Sequence, residues 1–166
     1  MRAEIKEFSR DLLRNVAIAA VLTVVLFRII FNLVIVSGHS MYPTLHDGEL
    51  AIGLNLGYTP ERGDIVVIDI PEEDIYYVKR IIALEGDTIY IDAAGVTYVN
   101  AEPLQEDYVV NKSLLAGIAA ESITVPDGYM FVMGDNRSNS KDSRDSTVGM
   151  LPIEDISCGY LFSLPI

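Results

Sequence analysis

The feature that most constrains this chain is an apolar run from Val16 to Val36, which only Thr23, Arg28 and Asn32 interrupt. As an α-helix, these 21 residues extend about 31 Å, roughly the thickness of the hydrocarbon core of a bilayer. We therefore predict a membrane anchor over residues 16–36. Arg28 and Asn32 lie four residues apart and share one face of that helix, so either the span begins earlier, near Leu12, or Arg28 reaches towards the outer headgroups.

Two other interpretations of the apolar run stay open. A cleavable secretory signal has an apolar region of about 7–15 residues followed by a small-x-small cleavage site, and this sequence has no such site. A core helix of a soluble domain is apolar on one face, whereas this stretch is apolar on nearly every face. A membrane-spanning helix fits both observations better.

The charges around the run indicate its orientation. Four basic residues precede it: Arg2, Lys6, Arg10 and Arg14. The next basic residue after it is Arg62. Because the cytoplasmic flanks of membrane spans are enriched in Lys and Arg, we expect a single-pass protein of the cell membrane. Residues 1–15 would lie in the cytoplasm, and residues 37–166 would form one extracytoplasmic domain.

Composition narrows the partners. The chain has 24 acidic against 12 basic residues, which argues against nucleic acid because phosphate binding needs a cationic face. A single cysteine, Cys158, excludes an intramolecular disulfide and a cysteine-rich zinc site. A lone cysteine among apolar neighbours is typical of a packed core residue.

Beyond residue 37 the chain changes to short β-branched runs separated by turn residues, which is typical of an all-β domain. The predicted strands are 50–54, 65–70, 75–82, 88–91, 96–99, 122–125 and 129–133. Residues 112–120 suggest the one short helix of this domain.

Ser40 lies in SGHSMYPTL, residues 37–45, directly after the apolar run. A serine at such a place is often only a turn residue. As a nucleophile it needs a base, most often histidine. His39 points to the opposite face if the backbone is extended, and the only nearby carboxylate for His46 is its neighbour Asp47. A local Ser-His-Asp triad is therefore geometrically poor.

Lysine is the alternative base. In YYVKRIIALEGD, residues 76–87, strand periodicity places Lys79 on one face with Tyr77 and Ile81. Apolar neighbours disfavour the ammonium form, and lowering the pKa from about 10.4 towards 7–8 costs on the order of 4 kcal/mol, which burial can supply. The other interpretation of Lys79 is a charge that protects an edge strand from aggregation.

A third segment, MGDNRSNSKDSR at residues 133–144, is dense in turn formers and charges. A solvated loop is its simplest interpretation. A calcium loop starting at Asp135 would put Arg137 and Lys141 at ligand positions and Ser146 where a bidentate glutamate belongs. We therefore predict no metal site.

Together these segments resemble the signature boxes of the bacterial type I signal peptidases of the short, Gram-positive-like type. SGHSMYPTL resembles the box of the nucleophilic serine, and ERGDIVVI at residues 61–68 resembles the Arg-Gly-Asp strand box. YYVKRIIALEGD resembles the box of the catalytic lysine, and GDNRSNSKDSR resembles the Gly-Asp-Asn-Arg box.

The resemblance implies Ser40 as nucleophile and Lys79 as general base, with Ser140 hydrogen-bonded to the lysine. It also implies supporting ion pairs of Asp142 with Arg144 and of Asp135 with Arg80. The implied substrate pocket consists of Val36, Gly38, Met41, Leu45, Tyr77 and Val78. Some members of the family carry Ser or Thr at the position of Gly38, so a side-chain hydroxyl is missing from the expected oxyanion hole.

By the same resemblance, the fold is a largely antiparallel β domain with a small coiled, barrel-like core. The implied function is a membrane-anchored serine endopeptidase that removes signal peptides from exported preproteins after a small-x-small motif. Its partners are preproteins and the lipid bilayer, and it needs no cofactor or metal.

Three alternatives remain. One is a membrane-tethered binding protein of the same fold that has lost catalysis. The second is a self-cleaving Ser-Lys peptidase of the repressor type, which needs no anchor, and the third is a histidine-dependent relative, against which Lys79 at the base position speaks.

Overall fold

A computed structural model describes residues 2–71, 75–112 and 115–165, with the side chains from Arg10 onward except that of Asp11. One α-helix, Arg2–Ile30 (α1), precedes a domain of antiparallel strands. The expectation of a mostly β protein with one N-terminal helix is therefore confirmed.

The predicted anchor is wrong in its last part. Helix α1 ends at Ile30, and Phe31–Ile35 forms strand β1. Strand β1 pairs along its whole length with β2, Leu50–Leu54, and the side-chain amide of Asn32 donates a hydrogen bond to Ser157. Whether an apolar segment forms a strand depends on its neighbours in the sheet. The apolar run continues past Ile30, so the sequence did not reveal where the helix ends and β1 begins.

Within α1, the segment Leu12–Ile30 is long and apolar enough to cross a membrane, with 19 residues and a mean hydropathy of 2.0. None of this segment is buried, and Val21, Leu22 and Val24 are each more than half exposed. A core helix of a soluble domain buries its apolar face. The core-helix interpretation therefore does not fit the structure, whereas a membrane anchor does.

The larger sheet has seven strands in the order β1-β2-β11-β3-β4-β9-β10, and its described pairings are all antiparallel. Besides β1 and β2, it contains β3 (Ile65–Ile70), β4 (Ile75–Leu84), β9 (Tyr129–Met133), β10 (Leu151–Pro152) and β11 (Ile156–Leu164). The smaller sheet has the order β7-β6-β5-β8. Its strands are β5 (Thr88–Ile91), β6 (Thr97–Val99), β7 (Glu102–Pro103) and β8 (Ile123–Thr124).

The helix predicted at 112–120 is reduced to a 3₁₀ turn, Gly117–Ala120, and residues 113 and 114 lie outside the described part. Gly117 has φ +59°, a left-handed conformation that interrupts an α-helix. A side chain at this position would also overlap the backbone of Arg144. The segment is therefore shaped by its packing against residue 144.

Strand β4 has apolar residues packed on both of its faces. Ile82 belongs to a buried cluster with Ile89 and Phe131, and Ile81 belongs to a second cluster with Val66. A register shift of one residue would exchange the two faces. The core thus fixes the pairing of β4 with β3, in which Lys79 lies opposite Val66.

Candidate active site

The turn that carries the nucleophile candidate Ser40, the nucleophile turn (residues 37–45), follows β1 and is closed by backbone hydrogen bonds. Val36 N donates to Glu49 O at 2.8 Å, and Gly48 N donates to Val36 O at 2.9 Å. Below the turn, Met41 is only 1% exposed and packs in a buried cluster with Val36. Ser40 is therefore held in place by the backbone hydrogen bonds that close the turn and by the buried apolar cluster beneath it.

Lys79 projects from β4 towards this turn. Its Nζ lies 2.9 Å from Oγ of Ser40 and donates a hydrogen bond to the carbonyl of Val78 at 3.1 Å. The ring centroid of Tyr77 lies 5.0 Å from Nζ, and Lys79 is only 4% exposed. Burial lowers the pKa of Lys79 to about 8, and the Asp142 carboxylate opposes this with a smaller upward effect.

The histidines have other surroundings. His46 lies with Nδ1 3.1 Å from a carboxylate oxygen of Glu49, and its ring packs against Tyr42. His39 is exposed. The side chain in contact with Oγ of Ser40 is thus a lysine with a lowered pKa, and this pairing can transfer a proton near neutral pH.

The loop formed by residues 134–144 contains a buried ion pair. Arg144 donates to both carboxylate oxygens of Asp142, at 2.8 and 2.9 Å, and to the carbonyl of Arg137 at 2.7 Å. Asp142 also accepts a hydrogen bond from Gly134 N at 3.0 Å. The pair therefore fastens the two ends of the loop to each other.

A second buried ion pair connects β4 with the nucleophile turn. Arg80 donates to both carboxylate oxygens of Asp135, at 2.8 and 2.6 Å, and to the carbonyl of Gly63 at 2.7 Å. Asp135, which is fully buried, also accepts a hydrogen bond from Thr44. The guanidinium of Arg80 lies 4.0 Å from the ring centroid of Tyr108.

Ser140 departs from the contact that the family resemblance implies. Its Oγ is buried without a hydrogen-bond partner among the described residues, so its expected bond to Lys79 is not formed. The hydroxyl instead packs against Gly134, where an added Cβ would overlap both this Oγ and the carbonyl oxygen of Ser40. Ser140 is nevertheless adjacent to the nucleophile turn, and its role as an orienting group stays a prediction.

A groove of about 630 Å³ opens at Ser40 and Lys79. Four of the predicted pocket residues line it: Val36, Met41, Tyr77 and Val78. Gly38 and Leu45 do not line it, and Leu45 is fully buried in the cluster under the turn. The groove also includes Lys141 and the exposed residues Ile75 and Tyr76.

Two strand edges border this groove. Strand β1 is at one edge of the larger sheet. Strand β4 pairs with β3 from Ile75 onward but with β9 only from Arg80 to Leu84. In the described pairings, residues 75–79 therefore have a strand on one side only. Residues of both edges line the groove: Val34 and Ile35 of β1, and residues 75–79 of β4.

Several residues at the site were not singled out from the sequence. Gly134, Asn136 and Arg137 lie in the quoted Gly-Asp-Asn-Arg segment, but their partners are distant in the chain. Arg137, for example, is 5% exposed and forms an ion pair with Glu106, which lies 31 positions away. Local sequence does not reveal such long-range contacts.

Comparison with known proteins identifies the family. The model of the family "Signal peptidase, peptidase S26" matches residues 9–163. Signal peptidase I of Bacillus licheniformis is 39% identical over 142 residues, which cover 80% of this chain and 76% of that protein. Signal peptidase I S of Bacillus subtilis is 40% identical over 143 residues, with 80% and 76% covered.

A solved structure agrees with these sequence matches. The crystal structure of a signal peptidase I from Enterococcus faecalis has a TM-score of 0.52 and 31% identity to this chain. The match covers 63% of this chain and 98% of that one. This chain therefore belongs to the signal peptidase family and is a serine peptidase of the type I signal peptidase class.

Proposed function

We propose that this protein removes signal peptides from exported preproteins, with Ser40 as nucleophile and Lys79 as general base. The observation that carries the proposal is the 2.9 Å contact between Nζ of Lys79 and Oγ of Ser40 at the groove. Burial favours the neutral amine, which is the form that can accept a proton from the hydroxyl.

The reaction proceeds through an acyl-enzyme. Oγ of Ser40 attacks the substrate carbonyl carbon while its proton passes to the neutral amine of Lys79. As the tetrahedral intermediate collapses, the C–N bond breaks and the ammonium of Lys79 protonates the leaving amine. Water, deprotonated by the same lysine, then attacks the ester carbonyl. The bond from the carbonyl carbon to Oγ of Ser40 breaks, the ammonium of Lys79 returns the proton to Oγ, and the signal peptide leaves.

The two buried ion pairs support this geometry. Asp135 and Arg80 connect β4 to the nucleophile turn, and Asp142 and Arg144 fasten the loop beside it. A Ser-Lys pair must be held to within about half an ångström of its working geometry. We infer that the four residues act as supports, with Ser140 as an orienting group and no metal ion required.

The substrate binds as an extended strand between the open half of β4 and the end of β1. Unpaired backbone groups on strand edges accept an added strand, and alternate side chains of that strand point to the same side. Two pockets in the groove then read residues that are two positions apart. Walls formed by Val36, Met41 and Val78 leave room for small side chains, which is the basis of a small-x-small preference.

Negative charge on the tetrahedral oxygen is stabilised by the backbone N–H of Ser40. Donors already fixed in place are the most effective groups for this purpose. Gly38 supplies no hydroxyl, and its own N–H donates to Asp47 at 2.7 Å. The main-chain donor at Ser40 therefore carries a larger share of the stabilisation than in relatives with a hydroxyl at that position.

We also infer that the β domain faces the outside of the cell membrane, because the basic residues lie before α1. Cysteines introduced as Ser122→Cys and Arg10→Cys report the two sides, since both positions are exposed. Cys158 is buried and burial raises the pKa of its thiol to about 11, so its background labelling is low. In intact cells, a membrane-impermeant maleimide should label the Ser122→Cys variant only, and the reverse result contradicts the orientation.

The central test is cleavage of a preprotein whose signal ends in Ala-x-Ala, by the purified full chain in detergent. Ser40→Ala and Lys79→Ala should each abolish cleavage. Ser122→Ala, an exposed serine outside the groove, and Lys112→Ala, an exposed lysine, are the matched controls and should keep activity. Mass spectrometry should locate the cut directly after the second alanine.

Two outcomes would refute the proposal. Cleavage that survives in Ser40→Ala or Lys79→Ala contradicts the assigned roles. A wild-type preparation that binds the preprotein but never cleaves it favours the tethered binding protein instead.

A further inference from the structure

Asn136 makes two contacts with the nucleophile turn and has no role in the reaction described above. Its side-chain Nδ2 donates a hydrogen bond to the carbonyl of His39 at 3.1 Å, and its backbone N donates to the carbonyl of Ser40 at 3.0 Å. Asn136 is only 8% exposed. One residue thus holds two successive carbonyl groups, on either side of the reactive serine.

The orientation of the Asn136 amide is supported by its other end. Ser138 Oγ donates to Oδ1 of Asn136 at 3.3 Å, which leaves the NH₂ group directed at the carbonyl of His39. Only an NH₂ group can donate there, because the carbonyl oxygen of His39 is an acceptor. The contact therefore depends on a hydrogen-bond donor at the end of the side chain and not merely on its size.

A peptide unit is rigid and planar, and in its trans form the C=O and the N–H point in opposite directions. The carbonyl of His39 belongs to the same peptide unit as the N–H of Ser40. A hydrogen bond that fixes this carbonyl also fixes the direction of the N–H proposed to bind the oxyanion. It further polarises the amide, because hydrogen bonds in a chain strengthen one another.

We propose that Asn136 is a positioning residue for the oxyanion: it holds the His39–Ser40 peptide unit so that the N–H of Ser40 points into the groove. The inference rests on the proposed function. It adds that Asn136 compensates for the missing hydroxyl at Gly38. It does so by fixing the peptide unit that carries the N–H of Ser40. Such an effect belongs to the transition state and not to substrate binding.

The test compares Asn136→Asp with wild type and with Asn139→Asp, an exposed control of identical chemistry three residues away. Asn136→Asp keeps the backbone bond to Ser40 but cannot donate to His39. We expect kcat to fall about 10- to 100-fold with KM changed less than twofold, a smaller effect than the direct loss of an oxyanion donor. Asn139→Asp should stay within twofold of wild type.

A second readout uses two ligands of the groove. A peptide boronic acid ending in alanine forms a tetrahedral adduct with Oγ of Ser40 and places an oxygen where the oxyanion lies, whereas an uncleavable peptide of the same sequence binds as ground state. The boronate should lose affinity by the same factor as kcat, and the uncleavable peptide should not. The midpoint of the rate–pH curve should stay where it is in wild type.

Asn136→Ala repeats the measurement without the added charge, so that a misfolded aspartate variant does not leave the question undecided. A kcat within twofold of wild type in either folded variant overturns the inference. So does an equal loss of affinity for both ligands, which would indicate a merely structural role. Inactive wild-type protein, in contrast, refutes the proposed function itself.

Discussion

The lowered pKa of Lys79 gives the most direct test of the mechanism. Its ordinary value is 10.5, and burial lowers it to about 8, a difference of about 3 kcal/mol between the two protonation states. At pH 7 roughly 10% of the molecules then carry a neutral amine, against roughly 0.03% for an ordinary lysine. Burial therefore increases the active population about 300-fold.

The expected rate profile follows from the sign of this shift. In the proposed mechanism the neutral amine is the base, so kcat/KM should rise about tenfold per pH unit below pH 8 and reach a plateau above about pH 9. Cleavage of a fluorogenic peptide without titratable groups in this range, measured from pH 5.5 to 10, gives the curve directly. Activity at pH 6 should be about 1% of the plateau.

The control is a double variant, His39→Ala with His46→Ala. It should keep the midpoint near pH 8, because neither histidine contacts Oγ of Ser40 in the described structure. A rate that is constant between pH 6 and 9 would refute the reasoning. A midpoint near pH 6.5 that disappears in the double variant would assign the base to histidine.

Five further variants, two of which are controls, test stability and packing by urea unfolding and by kcat. Lys79→Met should be inactive but more stable than wild type at pH 7 by up to about 3 kcal/mol. This difference should shrink between pH 8 and 10.5, because the stability of the wild type rises there. In that range the folded wild type has lost the Lys79 proton, whereas the unfolded chain still carries it. Arg80→Met leaves the buried carboxylate of Asp135 unpaired and should lose about 3–5 kcal/mol of stability. As its control, Arg62→Met removes an exposed ion pair with Asp87 and should lose less than about 1 kcal/mol. Gly134→Ala and Gly53→Ala each add a methyl group where there is no room, and each variant should lose about 1–3 kcal/mol of stability. Only Gly134→Ala should also lower kcat by tenfold or more. Equal kcat values in the two variants would contradict the packing described at the nucleophile turn.

The sequence predicted those elements whose signal is local. The strands β3 and β9 follow from apolar, β-branched runs bounded by turn residues, and the structure has them at the predicted residues, Ile65–Ile70 and Tyr129–Met133. The desolvation of Lys79 likewise followed from strand periodicity, which puts it on the face of Tyr77 and Ile81.

Features decided by distant parts of the chain were missed. Strand β1 was hidden inside a continuous apolar run and is defined by its pairing with β2. Strand β11 contains Gly159, which weakens a strand signal. In the structure this glycine is needed because the ring of Tyr58 occupies the space of a side chain.

At the site, too, some contacts could be predicted from the sequence and others could not. The family boxes named Arg80, Asp135, Asp142 and Arg144, and the structure brings these side chains together in pairs. They do not show that the Oγ of Ser140 packs against Gly134. Hydrogen bonds such as those of Asn136 join residues about a hundred positions apart, and only the folded chain makes them visible.

The direct passage from α1 into β1 limits the distance between the end of the helix and Ser40. Ile30 is followed at once by Phe31 of the strand, and Ser40 lies ten residues beyond Ile30. The chain can place the reactive hydroxyl at most about 35 Å from the end of the helix. Residues of β1 also line the groove, so no separate linker segment lies between the helix and this wall of the groove. Under the proposed function, we therefore expect the distance of a peptide bond from the membrane to help decide whether it is cut.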